Sequence, residues 1–212
     1  MKIQVRRDVL IEAMRLMEMV VPRRFPKPVL QCVKLAADQK AVTLLGTNLE
    51  TAVEYEVPQV MVEEPGEVLL QSSLLHEIAR AGKSDVLVIR STESGCEIVE
   101  EDARYGLYGA DPRQFPLAPT NEDEPDAVVA LDDLRSGIKR TAFAAAKQAS
   151  RYAITGVFLK QGNGKAVLVA TDGRRLACCQ VEEEAQMEAK GIVPPKAMNV
   201  LAGIAEDGKE PV

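Results

Sequence analysis

The chain carries one pattern twice, roughly 124 residues apart, and a period that long marks a repeated domain rather than one turn of a solenoid. With Val5 laid on Val129, Leu10 falls on Leu134, Met14 on Ile138 and Val33 on Val157. Further on, Lys40-Ala41-Val42 meets Lys165-Ala166-Val167 with one residue of slippage, and Thr47 meets Thr171. A chain of 212 residues is long enough for two domains, each with its own core. The expected division is a first domain at 1–118, an acidic linker at 119–127 and a second domain at 128–212.

Each copy opens on a short strand followed by a helix. Asp8 is the expected N-cap of the first helix, with Leu10, Ala13, Met14 and Met17 at helical spacing behind it. In the second copy Asp132 or Asp133 caps, Leu134, Ile138 and Ala142 form the buried stripe, and Arg135 and Lys139 share a polar face. Strands are expected at 29–35 and 42–46, then at 51–57, where Thr51, Val53, Tyr55 and Val57 alternate with Glu54 and Glu56. Their counterparts are 153–160, 166–170 and 176–181, with Gly162-Asn163-Gly164 as a hairpin turn.

A second helix starts at Ser72 or Ser73, with Leu74, Leu75, Ile78 and Ala79 facing inward and His76, Arg80 and Lys83 on one polar stripe. Its counterpart opens at Pro194-Pro195, where a missing N–H costs least. There Met198, Leu201 and Ile204 or Ala205 face inward and Lys196 outward. Strands at 86–90, 96–100 and 104–108 complete the first copy, and 112–125 reads as a solvated connection rich in acid. The second copy ends where the counterpart of the 86–90 strand would begin, so it is expected to be incomplete. The fold class is α+β, with helices packed on antiparallel sheets.

Bulk properties narrow the chemistry. Cys32, Cys96, Cys178 and Cys179 show no CxxC spacing, and His76 is the only histidine, which argues against a structural metal centre or a histidine-based triad. Adjacent Cys178 and Cys179 point to opposite faces of a strand, and His76 reads as a solvated helix position. No apolar run approaches the about eighteen residues of a membrane span, and the N-terminus runs into charge at once. A cytoplasmic protein without cofactor or metal is expected. The net charge of −6 leaves nucleic-acid binding open only to a segregated basic face.

Arg7, Pro28-Val29-Leu30, Thr47-Asn48-Leu49-Glu50, Phe115-Pro116, Arg151-Tyr152 with Gly156, and the stretch Thr171 to Ala177 carry a family resemblance. On them the chain resembles the bacterial sliding clamp, the beta subunit of DNA polymerase III, over its N-terminal and most of its middle domain. The resemblance implies a ring of repeated domains, each with two helices lining the hole and sheets outside. Three such domains make a protomer, and two protomers close head to tail around duplex DNA. Three repeats take roughly 370 residues, so this chain is expected to be a partial protomer without the third domain.

The resemblance also assigns roles. Arg24, Arg80, Lys139 and Lys196, with Gln148, Arg151 and Tyr152 from a second-domain loop, are the implied contacts to DNA; Arg15 is a further helix-borne candidate. Ile154, Thr171, Gly173, Arg174, Arg175 and Leu176 are the implied wall of a pocket where short linear motifs of the polymerase and the clamp loader dock. Relatives usually have histidine where this chain has Arg174. Leu74, Ile78, Arg104, Tyr105 and Leu107 are the implied dimer surface. Two other functions compete: a naturally short clamp acting as a regulatory peptide-binding module, and a phosphoesterase using Asp172 with the Glu50 or Glu54 region. From the residues alone, Asp172-Gly173 is a common turn between strands.

Overall fold

The computed structural model describes residues 1–116, 127–146, 155–162, 164–182, 184–185 and 189–203. Gln148, Arg151, Tyr152, Ile154, Asn163, Ile204 and Ala205 lie outside the described residues. The chain divides into two compact units, Met1–Pro119 and Thr120–Val212.

The first unit runs β1 (Lys2–Arg6), α1 (Arg7–Val20), β2 (Cys32–Ala37), β3 (Val42–Thr47), β4 (Ala52–Glu56), β5 (Val60–Glu64), β6 (Gly66–Gln71), α2 (Ser72–Ala81), β7 (Val86–Thr92), β8 (Gly95–Val99) and β9 (Arg104–Ala110). The strands form one sheet in the order β4-β3-β2-β6-β9-β8-β7-β1-β5. Leu10, Ala13, Met14 and Met17 recur every three or four residues on α1, which places them in one apolar stripe. They share a core with Val33 and Leu35 of β2, Leu44 of β3, Leu75 and Ala79 of α2, and Ile89 of β7. Each large side chain fully buried here stabilises by about 1.5–3 kcal/mol.

The second unit repeats this plan. It contains β10 (Ala127–Val128), α3 (Leu131–Thr141), β11 (Val157–Gly162), β12 (Lys165–Thr171), β13 (Leu176–Glu182), β14 (Glu184–Ala185), β15 (Ala189–Val193) and α4 (Pro195–Gly203). Its sheet order β13-β12-β11-β15 is that of β4-β3-β2-β6 at equivalent sequence positions. The β10–β14 pair likewise echoes β1–β5. Ile138, Val157, Leu168, Val181 and Met198 are central to its core. The duplication read from the sequence is thus a duplication of topology.

Several local expectations are corrected. Asp8 is not the cap: α1 begins at Arg7, and the Asp8 carboxylate accepts the Val9 N–H at 2.9 Å and pairs with Arg6. Asp132 and Asp133 likewise sit inside the first turn of α3 and not at its cap, where negative charge still suits the helix dipole. Residues 29–31 are not strand but part of a 3-10 turn, Pro28–Gln31, which the fixed φ of Pro28 starts. Phe115 is buried behind a second 3-10 turn at Pro112–Gln114, so the solvated connection does not begin at 112.

The inward face of α2 is Ser72, Leu75, His76 and Ala79. Leu74 is turned out at 40% exposure and Ile78 is half-buried. His76 is not solvated; it is 7% exposed, with Nδ1 3.1 Å from Oε1 of Glu18 on α1. An acidic partner on the facing helix is what lets a polar ring occupy this contact. Strands β5 and β6 were not anticipated. In β6, Val68, Leu69 and Leu70 are buried in succession, which erases the alternation that marks a half-exposed strand. Cys178 and Cys179 do face opposite ways, exposed and buried respectively. Among the described residues, no helix is long and apolar enough to cross a membrane.

Met14→Ala or Leu75→Ala is expected to cost about 2–5 kcal/mol in urea unfolding, whereas Leu74→Ala stays within about 0.5 kcal/mol. Equal costs for Leu74 and Leu75 would contradict the placement of α2. In thiol titration of the folded chain Cys178 reacts. Cys96, 2% exposed and with its thiol pushed up by burial to about 12, reacts only after unfolding.

Candidate functional site

The turn between β12 and β13 is built by side chains. The Thr171 hydroxyl donates to the Arg175 carbonyl at 2.7 Å and accepts the Gly173 N–H at 3.1 Å. Oδ1 of Asp172 accepts the N–H groups of Arg174 and Arg175, each at 3.0 Å, while Oδ2 accepts Arg175 Nε at 2.9 Å. Between them Gly173 takes a φ of 83°, the left-handed region that glycine enters without steric cost. The Arg174 N–H, more than any other group, holds the Asp172 carboxyl below its ordinary range.

The same turn exists in the first unit between β3 and β4. Thr47 Oγ1 donates to the Thr51 carbonyl and accepts the Leu49 N–H, both at 3.0 Å. Asn48 Oδ1 accepts the N–H groups of Glu50 and Thr51 at 3.0 and 2.8 Å. Leu49 occupies the place of Gly173 with a φ of 77°. Thr47-Asn48 and Thr171-Asp172 are one device used twice. Asp172 is therefore a turn-forming residue, its carboxylate consumed within the loop. Among the described residues, no group of three or more His, Cys, Asp or Glu side chains could hold a metal beside it. A catalytic Asp172 has no support in this geometry.

The device fixes what the second loop displays. Leu176 is 68% exposed at the start of β13, and Phe143 is 60% exposed on a 3-10 turn, Ala142–Ala144, that follows α3. The Arg175 guanidinium lies 5.6 Å from the Phe143 ring centroid, within cation–π reach. Arg174 is exposed. Phe143 was missed in the sequence although it lies four residues after Lys139, off the stripe of Leu134, Ile138 and Ala142.

Cations are distributed over both helix pairs. Arg80 on α2 and Lys139 with Arg140 in the last turn of α3 are exposed. Arg24 is exposed on the segment after α1, and Lys196 is exposed on α4. Arg15 is held by Glu12 at 2.8 Å, and Arg135 leans on Asp132 at 3.8 Å. Arg140 escaped the sequence reading although it adjoins Lys139.

On β9, residues 104–108 pair with β8 alone, and β6 takes up only Gly109 and Ala110. Arg104, Tyr105 and Leu107 therefore sit on a stretch with one open edge, a template for pairing with another strand. Glu97 holds Arg104 Nη1 at 3.2 Å and Arg90 Nε at 3.3 Å.

The turn gives a direct test. Asp172→Asn, which keeps the backbone acceptor as Asn48 does but loses the charge that pairs with Arg175, is expected to melt between the parent and Asp172→Ala in a thermal scan. Because the folded carboxyl titrates below the ordinary value of 3.8, its contribution is complete above that pH and fades as pH falls through the lower folded value. The gap between parent and Asp172→Ala should accordingly close on strong acidification.

Comparison with known proteins follows the same two units. Residues 1–119 match the family "DNA polymerase III beta subunit, N-terminal domain" and residues 128–212 match "DNA polymerase III beta subunit, central domain". The beta sliding clamp of Pseudomonas aeruginosa is 32% identical over 214 residues, which cover 99% of this chain and 58% of that protein. The crystal structure of the DNA polymerase sliding clamp from Bacillus subtilis superposes with a TM-score of 0.92 at 25% identity, covering 100% of this chain and 58% of that one. The DNA polymerase III beta subunit structure from Pseudomonas aeruginosa gives 0.90 at 30% identity, with 98% and 57% covered. The chain thus spans 58% of the length of a curated relative it matches. With both units matched in order, the chain belongs to the DNA polymerase III beta subunit family.

Proposed function

We propose that this chain supplies two consecutive repeats of a DNA sliding clamp, a non-catalytic component that surrounds duplex DNA and tethers the replicative polymerase. The observation that carries this reading is the ordered match of both units to the N-terminal and central domains of the family. The proposed domain division is 1–118 and 128–212, joined by the acidic linker 119–127, in a cytoplasmic protein. Encirclement belongs to the protein that carries all three repeats, closing head to tail with a second copy through Leu74, Ile78, Arg104, Tyr105 and Leu107.

The physical demand on a clamp is an attraction to phosphate that grips no sequence. Lysine and arginine on helix surfaces supply it by releasing counterions. Arg24, Arg80, Lys139 and Lys196 serve this purpose, joined by Gln148, Arg151 and Tyr152. Tethering then acts through effective concentration, since a polymerase held to a sliding ring meets its template without renewed diffusion. Ile154, Thr171, Gly173, Arg174, Arg175 and Leu176 form one wall of the docking site for linear motifs of polymerase and clamp loader. The exposure of Leu176 and Phe143 supports an apolar partner there.

The test is anisotropy of a fluorescent duplex titrated with the full chain at several salt concentrations. Arg24→Glu, Arg80→Glu and Lys139→Glu combined are expected to weaken binding. The log–log salt slope should become shallower by about 0.9 for each phosphate that is no longer neutralised. A triple variant that binds as the parent does, with an unchanged slope, would remove these side chains from the DNA face.

A further inference from the structure

The segment between α1 and β2 concentrates positive charge. From Val21 to Gln31 it carries Arg23, Arg24 and Lys27 and no acid, and all three cations are exposed. The carboxylate that reaches it comes from outside, from Glu18 in the last turn of α1. Oε2 of Glu18 lies 3.9 Å from Nη2 of Arg23, while Oε1 lies 3.1 Å from Nδ1 of His76 on α2.

The two contacts are unequal. Nε2 of the buried histidine ring has no hydrogen-bond partner among the described residues, so the contact with Glu18 is what offsets the burial of this polar group. A leucine would fill the same place without that cost. Packing alone does not ask for histidine here, and its effect lies in where it keeps the carboxylate. The Arg23 contact, by comparison, is longer than a hydrogen bond, and the arginine side chain is 82% exposed against 27% for Glu18. A carboxylate released from the seam between α1 and α2 closes on the guanidinium, whose fork takes a carboxylate through two parallel bonds. A phosphate approaching Arg23 must then compete with it. An exposed pair of this kind contributes little, so the outcome is a graded loss of affinity, suited to a protein that holds a duplex and still slides along it.

We propose that Glu18 tempers the attraction of the Arg23-Arg24-Lys27 segment for the phosphates of duplex DNA, and that His76 is the positioning residue that keeps this carboxylate off Arg23. The inference rests on the reading above, in which the segment bearing Arg24 meets DNA, and adds the residues that set its strength.

The experiment is anisotropy of a fluorescent duplex titrated with the full chain at low salt and fixed pH. Glu18→Gln is expected to tighten binding by roughly two- to five-fold, the range of one exposed ion pair, and His76→Leu to weaken it by a similar factor. In the double variant the effect of His76→Leu should vanish, because the acid it releases is gone. His76→Asn, which keeps an N–H donor near the place of Nδ1, should lose less than His76→Leu. All these differences should shrink as added salt screens the exposed charges. A loss in His76→Leu that persists beside Glu18→Gln, or that salt leaves untouched, is a packing effect and overturns the role of His76. Should His76→Leu fail to fold, a His76→Asn variant that binds more weakly than the parent by the same factor with and without Glu18→Gln overturns it equally. Glu18→Gln binding no more tightly than the parent overturns the tempering by Glu18. Binding that Arg24→Glu leaves unchanged overturns instead the reading on which the inference rests.

Discussion

Leu10, Met14 and Met17 can leave water only by lying across the inner face of β2 and β3, and Leu75 and Ala79 of α2 complete that layer. This burial of a helix pair on an antiparallel sheet decides the remaining geometry. Once one stripe of each helix is committed inward, the opposite stripe must face solvent, and Arg80 and Lys139 are carried out with it. The loops at the sheet ends are positioned by the same strands. The loop after β12 can therefore display Leu176 at a fixed place, because Ala170 and Leu168 behind it are locked in the second core. Function in this family is a matter of surfaces held in position, and apolar packing is what holds them.

The repeat was legible because it lies in residues that packing constrains: Leu10 and Leu134, Met14 and Ile138, Val33 and Val157. Strands with an exposed face, such as β4, were legible from their alternation. What failed had physical causes. A strand buried on both faces, like β6, shows no period. A polar residue with a partner on a neighbouring helix, like His76 with Glu18, carries no mark of that partner in its local sequence. Helix caps slipped by a residue because Asp8 and the Asp132-Asp133 pair stabilise a first turn from within it as well as from the cap. At the candidate site, Thr171-Asp172-Gly173 announced a turn. The free charge on Arg174 did not show, since that depends on which acids are already occupied in three dimensions.

The paired turns separate structure from display. Thr47 with Asn48 and Thr171 with Asp172 perform the same hydrogen bonding, which asks for the backbone N–H of Glu50 and of Arg174 but not for their side chains. The second copy uses glycine at the left-handed position. The first holds Leu49 there, 58% exposed, against the preference of a branched side chain for negative φ. Identical scaffolds thus present Leu49-Glu50-Thr51 in one unit and Gly173-Arg174-Arg175 in the other, opposite in charge. The divergence in charge falls at Glu50 and Arg174, whose side chains the turn does not use.

Two sheets with the same strand order in one polypeptide also pose a problem of synthesis. When β11 emerges, its proper neighbours β12 and β15 are still to come or barely made, while β2, β3 and β6 already form a template of the same shape nearby. Pairing across repeats is the characteristic error of tandem domains. The strands resist it by composition: β2 presents Lys34 between Val33 and Leu35, whereas β11 presents Phe158 and Leu159 before Lys160. With Val157 in the place of Val33, Phe158 stands where Lys34 does, so a register copied from one repeat forfeits the Lys34–Glu67 ion pair at 2.6 Å. The unlikeness of the two halves is in this sense a guard on folding fidelity, as much a product of the duplication as the symmetry itself.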